Sequence, residues 1–209
     1  MSFDFADVSL TGWVLAGALA ALAVVLLIIA RGRTRWTARM LANAALCLAL
    51  AFVLSYIKLF DLPQGGAVTA ASLLPIVAFA YSYGLAPGLV VGVAYGLLQM
   101  IQDPWIVTPV QAILDYPLAF ACIALAAVAR KLPDSWGWLA GMALAAVGRF
   151  VCHTFTGVVF FAEYAEGTGM TPFVYSVSYN SFVFVDMAIC AVVMAFPQVR
   201  RALKRMTER

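Results

Sequence analysis

The sequence predicts an all-α integral membrane protein with seven spans, its N-terminus outside and its C-terminus inside the cell. Three observations carry that expectation. Of 209 residues, 65% are hydrophobic and only 11% charged, against about 25% charged in an average soluble domain. Seven apolar runs fill the chain, most of them close to the roughly 20 residues that cross a bilayer. Finally, eleven of the 13 Lys and Arg residues fall on one side of a seven-span arrangement. This composition excludes a water-soluble globular enzyme, a disordered regulator and a nucleic-acid binder, and the length leaves no room for a separate catalytic domain.

The first run, residues 10–30, is too long for a signal-peptide core, and Asp4 and Asp7 precede it where a signal would carry cations. It reads as a retained helix. Six further runs follow at 38–59, 69–83, 85–101, 108–129, 136–161 and 172–196, the third and fourth of the seven being short. Breaks fall at Pro63-Gln64-Gly65-Gly66, at Gly84 with Pro87, at Asp103-Pro104, at Pro133, between Gly167 and Pro172, and at Pro197. Three units result: an N-terminal helix with its basic loop (1–37), a six-helix bundle (38–197) and a basic cytoplasmic tail (198–209).

Cations set the orientation. Arg31, Arg33, Arg35 and Arg39 follow the first run, and Arg130 and Lys131 follow the fifth. Arg200, Arg201, Lys204, Arg205 and Arg209 follow the last. The positive-inside rule places these in the cytoplasm, so the net charge of +3 reports insertion and not an anionic partner. Cys47, Cys122, Cys152 and Cys190 lie within apolar runs and read as small hydrophobes.

Polar groups inside a bilayer are costly and mark sites by default. Asp115, Arg149, His153 and Asp186 sit well inside the runs, with Asn180 as an uncharged companion. Arg149 and His153 are four residues apart and share a helix face, which Gly157 and Phe161 extend. A cation, an imidazole, a gap and a ring make a wall against which a flat ligand can lie. The plainer reading is that Arg149 pairs with Asp115 or Asp186 to fix helix register. With this topology Asp115, His153, Phe161, Tyr175 and Asn180 all climb to the outer leaflet. Tyr95, Trp105, Tyr116, Phe160, Tyr164 and Tyr179 stand at the same level, as an interfacial belt or as the lining of a cavity.

No HExxH, GxSxG or P-loop occurs. One histidine and four scattered thiols make no metal site, and residues 172–196 offer no lysine for a retinal Schiff base. Small residues stand four apart in two pairs, Ala38 with Ala42 and Ala45 with Ala49. Such a stripe permits close helix approach, either within the chain or to a separate membrane subunit.

Residues 42–196 resemble the thiamine-specific substrate-binding (S) components of bacterial energy-coupling-factor (ECF) transporters. The blocks that carry the resemblance are Leu73-Leu74-Pro75-Ile76, Tyr83-Gly84-Leu85, Ala94-Tyr95-Gly96-Leu97-Leu98 and Leu114-Asp115-Tyr116-Pro117. They continue with Gly148-Arg149-Phe150-Val151-Cys152-His153, Gly157-Val158-Val159-Phe160-Phe161, and Met170-Thr171-Pro172 leading to Tyr175 and Asn180. The resemblance implies a six-helix S-component bundle, to which residues 10–30 add a helix.

It further implies that Asp115 engages the aminopyrimidine of thiamine beside Tyr116, and that Arg149, His153, Gly157, Tyr175 and Asn180 line the pocket. Phe161 and Tyr95 stand where the family stacks its ligand with tryptophans, and Trp105 lies in an external loop. Ala45 and Ala49 match the stripe that docks onto the transmembrane coupling subunit. Two ATPase subunits complete such a transporter, so the chain itself needs no cofactor, no catalytic residue and no nucleic acid, and resides in the bacterial cell membrane. The chain departs from the family pattern in carrying Asp115 for a glutamate and Gly66 for a tryptophan, and Asp186 has no counterpart. Two further readings stay open: an S component for another vitamin or a pyrimidine precursor, and a stand-alone proton-coupled carrier with Asp115, His153 and Asp186 as relay.

Overall fold

A computed structural model describes residues 34–133 and 136–207, together with Gly17 and Ile28. The predicted first span therefore lies almost wholly outside the described residues. The remainder is mostly helical, and five of its helices are long and apolar enough to cross a membrane.

Helix α1 (Ala38–Ser55) starts at Thr37, whose hydroxyl accepts the Met40 amide at 3.2 Å. A small antiparallel hairpin follows, β1 (Lys58–Asp61) and β2 (Ala67–Thr69), pairing Phe60 with Val68 and Asp61 with Ala67. Its turn passes through Gln64 and Gly65 with φ of 64° and 80°. Next come α2 (Leu74–Tyr83) and α3 (Leu85–Gln102), separated by Gly84 at φ 102°. Helix α4 spans Pro109–Lys131 and α5 Gly137–Phe160; α6 (Pro172–Asn180) and α7 (Phe182–Ala195) run on through Ser181, whose backbone stays helical, as one span. Helix α8 (Pro197–Thr207) ends the described chain.

The hairpin corrects the sequence reading, which extended one helix to residue 59 and began the next at residue 69. A helix end exposes unpaired backbone groups, and here the strands pair them: Leu62 N–H donates to Gly66 O at 2.8 Å and Ala70 N–H to Ile57 O at 3.0 Å. The basic tail is likewise a helix. Val199, Leu203 and Met206 pack on the core. Tyr83 Oη donates to the Met206 carbonyl at 2.8 Å and an Arg39 terminal nitrogen to that of Arg205 at 2.8 Å, satisfying the last turn of α8.

Helix α2 is short because it is central: Leu74 to Ala80 are all buried. Helix α3 closes on α4 through small residues. A Cβ on Gly92 would stand 2.5 Å from Phe120 O, and one on Gly96 2.5 Å from Tyr116 O, so no larger residue fits without parting the helices. Helix α4 is irregular for a definite reason. Pro117 has no N–H to give, the turn at Leu114–Leu118 widens, and Ala119 N–H reaches back five residues to Leu114 O. Such wide turns recur at functional sites, and this one carries Asp115.

The two ends of the bundle differ in charge. Arg35, Arg39, Arg130, Lys131, Arg200, Arg201 and Arg205 gather at the α8 end. Asp61, Asp103, Glu163 and Glu166, with Lys58 as the single cation among the described residues there, gather at the hairpin end.

Candidate ligand-binding site

A cavity of about 140 Å³ opens at the hairpin end, and all ten residues expected to touch a ligand line it. Helix α4 contributes Asp115 and Tyr116, and α5 contributes Arg149, His153 and Gly157 with Phe161 at its end. Helix α6 adds Tyr175 and Asn180, α3 adds Tyr95, and the loop after α3 adds Trp105. Gln64 to Ala67 of the hairpin form the roof.

At the centre Asp115 is held by three donors. Thr156 Oγ1 donates to Oδ1 at 2.5 Å, His153 Nδ1 lies 2.9 Å from the same oxygen, and Gln111 Nε2 donates to Oδ2 at 2.7 Å. An ionised carboxylate only accepts, so the proton of a neutral imidazole sits on Nδ1 and Nε2 presents a lone pair. That Nε2 is buried without a hydrogen-bond partner among the described residues. Buried polar atoms are rarely left so, and the cavity is where a donor would come from. Asn180 Nδ2 donates to the carbonyls of His153 (3.2 Å) and Ser176 (2.9 Å), locking α6 to α5 behind the imidazole.

Arg149 chooses between the two acids open to it. A terminal guanidinium nitrogen reaches Asp186 Oδ2 at 3.3 Å, and Asp115 is left to His153. Asp186 is only 2% exposed, and its Oδ1 accepts both the amide and the hydroxyl of Thr69 at 2.9 Å. One carboxylate thereby ties α5, α7 and the end of the hairpin together. The Arg149 guanidinium also lies over the Phe120 ring at 4.7 Å, a favourable cation–π placement.

The rings occupy different levels. Tyr95 is wholly buried, edge-on to Phe120, with its hydroxyl 3.3 Å from Ala51 O, and so forms the inner wall. Tyr116 Oη accepts the Trp105 amide at 2.7 Å and donates to Asp103 O at 3.2 Å, fixing the outer loop. Trp105 packs on the hairpin turn, its Cβ 3.0 Å from where a Cβ on Gly65 would stand. Phe161 stacks on Tyr164 and Tyr175 on Tyr179, with centroids 5.9 and 6.3 Å apart. Gly157 is small by necessity, since a Cβ there would sit 2.5 Å from Ser176 Oγ.

Sequence reasoning assigned no role at this site to Gln111 or Thr156, and gave Tyr179 only as a ring of the interfacial belt or of the cavity lining. Gln111 and Asp115 are four residues apart on one helix, a spacing that announces contact. Tyr179 has a sharper signal. It sits four residues after Tyr175, its hydroxyl accepts the Gly66 amide at 3.1 Å, and it donates to Pro63 O in a short hydrogen bond. A side chain at position 66 would collide with that hydroxyl at 2.6 Å. The phenol thus fills the space that Gly66 vacates.

At the mouth Lys58 Nζ bridges Asp103 at 2.6 Å and Asp61 at 3.2 Å. The hydrogen bond to Asp103 is the main reason its ammonium holds its proton above the ordinary lysine range. Counting Asp103, Asp115 and Asp186 against Lys58 and Arg149, the lining is acidic by one charge, which suits a cation.

Fold and cavity together define a polytopic membrane protein with a ring-lined cavity, polar at its centre, at one end of the bundle. The family described as thiamine transporter protein matches residues 41–205. The chain is 30% identical over 184 residues to the thiamine transporter ThiT of Bacillus subtilis, covering 78% of this chain and 95% of that one. It is 29% identical over 157 residues to ThiT of Lacticaseibacillus paracasei, covering 66% and 75%. The solved structure of ThiT from Listeria monocytogenes superposes with a TM-score of 0.64 at 26% identity, covering 77% of this chain and 96% of that one. A solved S component of a bacterial ECF transporter gives 0.55 at 20% identity, covering 81% and 98%, a likeness of fold. This chain belongs to the thiamine transporter protein family.

Proposed function

We propose that this chain is the substrate-binding S component of an ECF-type transporter and captures thiamine from outside the cell. The observation that carries this reading is the meeting of Asp115, His153 and Asn180, from three separate helices, in one ring-lined cavity. Thiamine pairs an aminopyrimidine with a cationic thiazolium. His153 Nε2 and the spare lone pair of Asp115 Oδ2 accept from the exocyclic amine, while Phe161, Tyr175 and Tyr116 supply ring faces. A cation over such a face gains about 0.5–2 kcal/mol, and the acidic lining adds to it.

The basic end faces the cytoplasm by the positive-inside rule, so the cavity opens outward, and residues 10–30 add a seventh span with the N-terminus outside. Thiamine is cargo; no cofactor and no catalytic step is involved. Partner subunits, one membrane-embedded coupling protein and two ATPases, hydrolyse ATP and drive reorientation of the loaded bundle. Ala45 and Ala49 lie exposed on the outer face of α1, available to the coupling subunit.

Titrating purified protein with thiamine and following tryptophan fluorescence tests the proposal. A dissociation constant of about 1 μM or tighter is expected, with riboflavin, biotin and hydroxymethylpyrimidine competing poorly. Tighter binding of one of those competitors would transfer the site to another vitamin or precursor, and millimolar binding of thiamine would end the proposal.

A further inference from the structure

A second cavity, of about 410 Å³, lies at the opposite, basic end between α2, α4, α5, α7 and α8. Leu74, Val77, Met142, Met194 and Leu203 make its walls apolar. Its polar groups are chiefly donors. Arg200 stacks its guanidinium on the Trp138 ring at 4.7 Å and, among the described residues, spends only Nε on a protein acceptor, Met194 O at 3.2 Å. Arg130 reaches in from the end of α4. No carboxylate among the described residues pairs with either arginine; the acids nearest in sequence, Asp134 and Glu208, lie outside the described residues. The Trp138 indole N–H is buried without a hydrogen-bond partner among the described residues. Two cations without a carboxylate partner and an indole N–H without a hydrogen-bond partner, both among the described residues, therefore line one apolar-walled space.

An apolar body with a single anionic head satisfies all of these at once. Basic clefts between membrane helices on the cytoplasmic side take anionic headgroups, and the cavity lies at the end of the bundle where the cations gather. A free phosphate would meet the arginines but leave the apolar walls wet. We infer that this cavity is a binding site for an anionic phospholipid, with Arg130, Arg200 and the Trp138 N–H holding the headgroup phosphate and the methionine and leucine walls taking the start of the acyl chains. The site is separate from the ligand cavity, and the inference stands or falls independently of thiamine.

Full-length protein in neutral detergent, titrated with phosphatidylglycerol and read by native mass spectrometry, tests it. Phosphatidylcholine with the same chains and glycerol 1-phosphate are the comparison probes. Phosphatidylglycerol adducts are expected to dominate. Arg130→Gln with Arg200→Gln should weaken them about 30-fold, from the loss of two cations at a headgroup, while Arg201→Gln, on α8 outside the cavity, leaves them unchanged. Thermal melting of the same variants in detergent reports folding. Arg130→Gln alone, at an exposed side chain, should weaken the adducts about fivefold and decides the matter if the double variant does not fold. Equal binding of phosphatidylcholine, displacement by glycerol 1-phosphate at equal concentration, or an equal loss in Arg201→Gln would each overturn the assignment.

Discussion

Asp115 and Asp186 are both carboxylates within the bundle, yet their partners set them to different work. Asp115 orients a histidine that faces open space; Asp186 neutralises an arginine and anchors a strand. Asp115→Ala is expected to lower thiamine affinity by about 1.5–3 kcal/mol, the usual worth of a charge-assisted hydrogen bond, read in the same fluorescence titration. Asp186→Asn should act on stability instead. It leaves the Arg149 guanidinium buried without a counter-charge, and breaking a buried pair this way costs about 3–5 kcal/mol. A lowered melting temperature in detergent, with thiamine affinity retained within a few-fold, is the expected pattern. A hundredfold loss of affinity with unchanged melting would move Asp186 into the ligand shell.

Between elements, the site depends on close approach. Gly157 brings α5 against Ser176 of α6, and Gly92 and Gly96 bring α3 against the backbone of α4. Gly157→Ala should push α6 outward and abolish tight thiamine binding, while adding Ser176→Gly, which removes the group in the way, should restore part of it. Failure of that rescue would show the glycine to be needed for some other reason. The hairpin is a roof held by two phenols: Tyr179 grips Pro63 and Gly66, and Tyr175 meets Gln64 at 3.3 Å. Tyr179→Phe removes the hydroxyl that makes both of its bonds. Release of bound thiamine, measured by chase with unlabelled ligand, should quicken by about tenfold, as expected when two hydrogen bonds of modest net worth are lost.

At the scale of the whole molecule, charge is sorted along the bundle, with the ligand cavity at the acid-rich end and the arginines at the other. Reconstituted alone in liposomes, the protein should bind thiamine but accumulate none, with or without a pH gradient. Accumulation should require the coupling and ATPase subunits together with ATP. Uptake driven by a proton gradient alone would return Asp115, His153 and Asp186 to the role of a relay. Nothing in their present partners favours one, since Asp186 is engaged by Arg149 and Thr69 and is not bonded to His153.

Much of this was legible in the order of the residues. Apolar runs of bilayer length, broken by glycine and proline, give the helices, because lipid leaves backbone groups no partner but each other. Polar residues within those runs mark the cavity, because burying them without a use is too costly to persist, and the four-residue spacing from Arg149 to Phe161 fixes a common face. What pattern alone left open was which acid serves which base, that the chain between α1 and α2 folds as a roof, that residues 197–207 are a docked helix, and that Tyr179 fills the gap at Gly66. Periodicity governs one element at a time, whereas each of these depends on atoms far apart in the chain arriving within a few ångströms. Only the packed bundle sets those distances.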